Sequence, residues 1–232
     1  MSSRQQAQDG AAVVKRDWLT LIAFVLAAVL AGGNVVAVRF SNSGLPPFWG
    51  ATLRFSAAAL IFWAIVLVRR IPVPKGRALV GAIVYGLLAI GLSYAGLYWG
   101  LVRAPAGLAG AVLALVPLMT LFFAAAHGQE ELHWRGVIGA AVATAGVLLG
   151  AVGGFGGAMH GPSVLALVAG VAATAESGVV YKLFPAGDPM AYNAVALTVG
   201  VPILAAFSLL MGEPWGLPAT ATPHALRHAF AT

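Results

Sequence analysis

A chain of 232 residues that is 60% hydrophobic and only 9% charged has too few polar side chains to cover a soluble globule, so composition places it in a membrane. The formal charge of +6 does not imply nucleic acid, because the 13 Lys and Arg fall mostly between apolar runs and form no basic face. The absence of cysteine excludes disulfides, thiolate chemistry and cysteine-based metal sites.

Residues 1–17 are polar and carry no apolar periodicity, which predicts a disordered tail. Apolar runs follow at Trp18 to Val38, Phe48 to Val68, Ala78 to Leu101, Ala106 to Ala126, Gly136 to Val152, Ser163 to Tyr181 and Met190 to Met211. None alternates like a strand. Each suits a helix crossing one hydrocarbon thickness, which takes roughly 17 to 25 residues. The first run is too long for a signal-peptide core of roughly 7 to 15 residues. A polar bridge with His127, Gln129, Glu130, Glu131, His133 and Arg135 joins the fourth and fifth runs into a hairpin. After Met211 the chain turns to GEPWGLPATATPHALRHAFAT, whose end reads as the foot of an eighth span. The expectation is an all-α polytopic bundle of seven spans and the start of an eighth.

Basic residues are retained on the cytoplasmic side of a membrane. With the N-terminus inside, that side holds Arg4, Lys15, Arg16, Arg69, Arg70, Lys75, Arg77, Arg135 and Lys182. The opposite side holds only Arg39, Arg103 and Arg227, so the N-terminus is expected in the cytoplasm.

Shifting the chain by 143 residues lays GNVVAVRF at 33–40 over ESGVVYKL at 176–183, and brings Gly44 onto Gly187 and Pro46 onto Pro189. An odd number of spans separates the matched points, which makes the second copy inverted. Inverted repeats let two halves exchange conformations around a midplane site. The symmetry therefore predicts a first five-helix unit at 18–160 and an incomplete second unit at 161–232, within a truncated ten-span protein.

Several residues are candidates for chemistry. Arg54 lies inside the second span, where a charge is costly unless it snorkels, pairs or lines a cavity. Glu176, well inside the sixth, reads either as a proton-coupling carboxyl or as the partner of a cation such as Lys182. Asn34 and Ser177, matched by the repeat, suit helix–helix hydrogen bonding or a polar pair facing the cavity. Tyr94, Tyr98, Trp99 and Tyr192 suit substrate stacking or interfacial anchoring. Pro117 and Pro202 are expected to kink their helices. Gly96 with Gly100, and Gly146 with Gly150 and Gly154, form faces for close helix packing.

The acids and histidines at 127–133 match no helical H-E-x-x-H spacing, so no metal is expected. GGFGG at 153–157 lacks the Lys and Ser/Thr of a phosphate loop and reads as a connector, and no cofactor is expected. A retinal protein needs a lysine in its seventh span, and Met190 to Met211 has none. No motif points to an enzyme.

The stretch from GLYWGLVRAPAGLAG through HGQEELHWRGVIGAAVATAGVLL resembles the third to fifth spans of EamA-type transporters of the drug/metabolite transporter superfamily. Pro117, Glu131, Gly139 and Gly146 stand where that pattern wants them. GGNVVAVRF, PPFWGATLRF with Arg54 and Phe55, and DPMAY at 188–192 extend the resemblance across about residues 18–215. It departs in the second unit, which lacks the third to fifth spans, and at Glu176, where family members more often carry an uncharged residue. The resemblance implies a secondary-active transporter of the cell (inner) membrane, exporting small metabolites such as amino acids, or drugs, by alternating access. The partners it implies are the lipid bilayer and a small-molecule substrate, with a homodimer left open. A non-transporting membrane fragment or assembly partner is the alternative.

Overall fold

The computed structural model describes residues 3–131, 133–154, 161–185 and 187–216. All regular structure in them is helical: α1 Ser3–Gly44, α2 Pro47–Val68, α3 Arg77–Tyr85, a π-helical segment Gly86–Leu92, α4 Ser93–Gly100, α5 Ala106–Leu113, α6 Val116–Ala126, α7 Trp134–Gly154, α8 Gly161–Leu183 and α9 Pro189–Leu210. Six stretches among the described residues are long and apolar enough to cross a membrane: Thr20–Gly44, Pro47–Val68, Arg77–Gly100, Ala106–Ala126, Gly161–Leu183 and Pro189–Leu210. The fifth expected run is helical as α7. The chain is thus a multi-pass membrane protein, with Leu60, Ile61, Leu165 and Leu209 exposed on its helices as a lipid-facing surface demands.

The helices depart from the sequence expectations in three places. Helix α1 begins at Ser3, so residues expected to be disordered are helical. Gln5, Gln6, Ala7, Lys15 and Arg16 among them are good helix formers continuous with an apolar span. The third run is not one α-helix, since its middle widens into the π segment. The fourth breaks at Ala114 and Leu115, and Pro117 falls in the first turn of α6, where a missing amide costs nothing. Pro202, by contrast, lies inside an α9 that continues past it.

The chain divides into a unit Met1–Ala37, formed by the greater part of α1, and a unit Val38–Thr232. In the second unit, α8 and α9 supply the most deeply packed residues, including Leu167, Val179, Ala194, Ala196 and Leu204. Glycine decides how closely their neighbours approach. A Cβ at Gly96 of α4 would meet the Ala166 carbonyl and lie 2.8 Å from Gly170 Cα on α8, while one at Gly170 would lie 2.7 Å from the Ser93 carbonyl. The π segment meets α9 in the same way, Gly86 against the backbone of Ala196 and Gly200 against Ile90. Two apolar helices in lipid gain nothing from leaving water, so such close packing is what joins them.

Polar groups at chain turns fix the helix ends. Arg39 donates to the carbonyl of Leu101, the C-cap of α4, at 2.6 Å and to that of Ala104, in the turn that follows, at 2.8 Å. At the end of α9, Gly212 has φ +65°, and the amides of Gly212 and Glu213 reach back to Leu209 and Ser208. This glycine-dependent reversal aims Glu213 at the start of α2. Its carboxylate accepts from the amides of Phe48 at 3.2 Å and Trp49 at 2.8 Å, and from the Ser208 hydroxyl at 2.8 Å. Pro46, at the N-cap of α2, has no side-chain oxygen to do this. Trp49 stacks on Trp215 at 4.7 Å and Phe48 on Phe207 at 5.4 Å, so this end of the bundle is clasped.

Replacing Gly96 by Val should force α4 off α8 and cost about 1–3 kcal/mol, seen as a lower melting temperature of the detergent-solubilised protein. Gly110→Ala, where a Cβ meets nothing within 4 Å, should be neutral or slightly stabilising. Equal effects would contradict the close-approach role of Gly96.

Candidate functional site

Where α9 begins, the chain must turn without losing its first amides. Asp188 supplies the cap, its carboxylate accepting from Met190 N at 2.8 Å and Ala191 N at 3.4 Å. This fixes the first turns of α9, and Tyr192 and Asn193 come to face α8 and α3 across a pocket of about 420 Å³. Helix α8 contributes Thr174, Ser177, Gly178 and Tyr181, spaced i, i+3, i+4 and i+7 on one stripe. Helix α3 contributes Tyr85.

The three tyrosines touch one another. Tyr85 meets Tyr192 at 5.5 Å and Tyr181 meets Tyr192 at 5.2 Å, both edge to face, and Tyr85 to Tyr181 is 6.0 Å. Tyr192 is 2% exposed, and its buried hydroxyl has no hydrogen-bond partner among the described residues. The Ser177 hydroxyl donates to the Thr174 carbonyl at 2.6 Å and keeps its lone pairs. The Asn193 amide spends one N–H on the Pro189 carbonyl at 2.8 Å, leaving one donor and the amide oxygen.

Glu176 faces away from the tyrosines, toward the C-terminus of α6. Its Oε1 lies 3.3 Å from His127 Nε2, while its buried Oε2 has no partner among the described residues. His127 Nδ1 lies 2.8 Å from the Phe123 carbonyl, a contact that requires Nδ1–H. In a neutral ring Nε2 is then an acceptor, so bonding to Glu176 needs one proton more, on either the imidazole or the carboxyl. Lys182, considered from sequence as a partner for Glu176, instead lies 3.9 Å from Glu130.

The sequence candidates therefore separate. Ser177 and Tyr192 share the tyrosine pocket. Arg54 is exposed on α2 with its guanidinium 5.6 Å from the Phe55 ring, which Tyr94 meets edge to face at 4.4 Å. Trp99 lines an almost wholly apolar pocket of about 400 Å³ with Phe48 and Phe207, near the clasped end. Asn34 belongs to the Met1–Ala37 unit. Sequence reasoning missed Tyr85, Tyr181, Thr174, Asn193 and His127. The stripe Thr174, Ser177, Tyr181 was open to a helical-period reading, whereas Tyr85 and His127 come from other helices.

Residues 18–151 match the EamA-like transporter family. The chain is 30% identical over 129 residues to YedA of Escherichia coli K12, named an uncharacterized inner membrane transporter; the match covers 52% of this chain and 40% of YedA. It is 26% identical over 197 residues to an uncharacterized transporter of Archaeoglobus fulgidus, covering 84% of this chain and 66% of that protein. The chain thus spans less than two thirds of the length of these relatives. No solved structure matches.

His127→Ala and Glu176→Gln should show coupled effects on thermal stability, each removing the same contact. A double-mutant cycle is expected to give a coupling of about 0.5–3 kcal/mol. Additive effects would show that the two side chains do not interact in the folded protein.

Proposed function

Because the chain belongs to the EamA-like transporter family, we propose that it works as a secondary-active exporter of small metabolites, picking up substrate in the tyrosine pocket from the cytoplasm. The observation that carries this reading is the contrast between the two ends of α9. Its Leu210 end is held to α2 by the Glu213 carboxylate and the Trp49–Trp215 stack. Its Pro189 end borders a pocket lined by hydroxyl and amide groups, whereas the pocket near the Leu210 end is almost wholly apolar. The excess of Lys and Arg puts the Pro189 end in the cytoplasm, so the arrangement is that of a state ready to load from inside.

Glu176 is the coupling residue in this proposal. Its carboxyl lies on α8 beside Ser177, 3.3 Å from the His127 imidazole. Substrate and proton thus act on two faces of one helix, and each can bias the same rearrangement. Alternating access follows when release of the Glu213 clasp opens the far end while the tyrosine end closes.

The test is transport by inverted membrane vesicles containing this chain, using a panel of amino acids and cationic dyes under an imposed pH gradient. Gradient-driven accumulation is expected, with Tyr192→Ala lowering it about tenfold or more and Glu176→Gln leaving only downhill exchange. Accumulation undiminished in Glu176→Gln contradicts the coupling role. No accumulation of any compound favours a helical assembly partner without transport of its own.

A further inference from the structure

We infer that the tyrosine pocket selects a net-uncharged, planar aromatic or heteroaromatic compound bearing an amide-like edge. The inference rests on the pocket being the substrate site and adds the class of substrate. None of the residues lining it is charged: Tyr85, Thr174, Ser177, Tyr181, Tyr192 and Asn193 supply all its side-chain polarity. The charged residues next to these positions in sequence make their recorded contacts elsewhere, Glu176 through Oε1 with His127, Lys182 with Glu130 and Asp188 with the first amides of α9. An ion in this pocket would lose its hydration without meeting a counter-charge from the lining, which is costly in an environment of low dielectric.

In an aromatic cage, ring faces alone hold a cation. These rings are arranged otherwise. Tyr192 packs against Tyr85 and Tyr181 with interplanar angles of 60° and 84°, so ring edges already occupy faces that a caged ammonium needs. What stays open is ring surface on half-buried Tyr85 and on Tyr181, which is 39% exposed. That surface suits a flat π-system. The hydrogen-bonding groups complete the description: Asn193 keeps one amide donor and its acceptor oxygen, and the buried Tyr192 hydroxyl lacks a partner among the described residues. A buried hydroxyl is ordinarily paired, and a ligand carbonyl or ring nitrogen supplies the missing atom. A carboxamide on an aromatic ring meets both requirements at once.

Nicotinamide, nicotinate and 1-methylnicotinamide are nearly the same size and are neutral, anionic and cationic in turn. Their binding to this chain in lipid nanodiscs is measured by saturation-transfer NMR. Nicotinamide is expected to bind at least tenfold more tightly than either ion. Tyr192→Phe should weaken it about three- to tenfold, the loss of one hydrogen bond, and Asn193→Ala, at a more accessible position, should act in the same direction. Unchanged melting temperatures establish that both variants fold. Binding of 1-methylnicotinamide or nicotinate as tight as that of nicotinamide, and lost in Tyr192→Phe or Asn193→Ala, overturns the neutral class but leaves the pocket as the site. Nicotinamide binding indifferent to both substitutions overturns the site itself, and so does the absence of binding by all three compounds.

Discussion

Backbone-to-backbone contact between helices is the constraint on which this structure depends. In lipid, leucine on a helix surface is already solvated, and association must come from close van der Waals packing and from polar groups that meet across the crossing. Gly96 against Ala166 and Gly170, and Gly86 against Ala196, bring α4 and α8, and the π segment and α9, as near as their main chains allow. The hydroxyls of Ser93 and Thr174 hydrogen-bond at the first of these crossings. Trp63 donates from its indole nitrogen to Thr198 on α9 at 2.8 Å. Each contact fixes both spacing and register.

The π segment follows from the same packing. Gly86 and Gly91 lie within it against Ala196 and Ile203, and Ile90 presses on Gly200. A wider turn there changes the rotational phase between Tyr85 before it and Ser93 after it. Tyr85 thereby joins the tyrosine pocket while Ser93 meets α8. Opposite the π segment, α9 carries Pro202, which has no amide to offer the Thr198 carbonyl. Two irregular helices thus meet at one crossing.

Much of this was legible in sequence because apolar runs of span length have few structural solutions in a membrane. The runs at 48–68, 106–126 and 190–211 reappear as Pro47–Val68, Ala106–Ala126 and Pro189–Leu210, within a residue or two at each end. Small-residue spacing at Gly96 and Gly100 likewise pointed to packing, which the contacts with Ala166, Gly170 and Leu167 bear out. The π segment was not legible, because GLLAIGL is as good an α-helical run as its neighbours and only the fit to α9 decides otherwise. Nor was the partner of Glu176. Lys182 is six residues away in sequence, but His127 arrives from the end of α6, a tertiary fact without local pattern. Arg39 was read as a loop charge and proves to hold carbonyls at the end of α4 and in the turn that follows it. Glu213, in a stretch read only as polar and proline-rich, caps α2 from far along the chain.

The two ends of α9 differ most sharply in the groups that line them, apolar beside Phe48 and Phe207 and polar beside Tyr192 and Asn193, and the chain has no native cysteine to confuse a thiol label. Single substitutions Asn193→Cys in the open pocket and Phe48→Cys under the clasp can be probed from each side of the membrane with an impermeant maleimide. Rapid modification of Asn193→Cys from the cytoplasmic side, with Phe48→Cys protected from both sides, is the expected result. Modification of Asn193→Cys only from the opposite side, or faster labelling at Phe48→Cys, would contradict a site that loads from the cytoplasm behind a closed outer end.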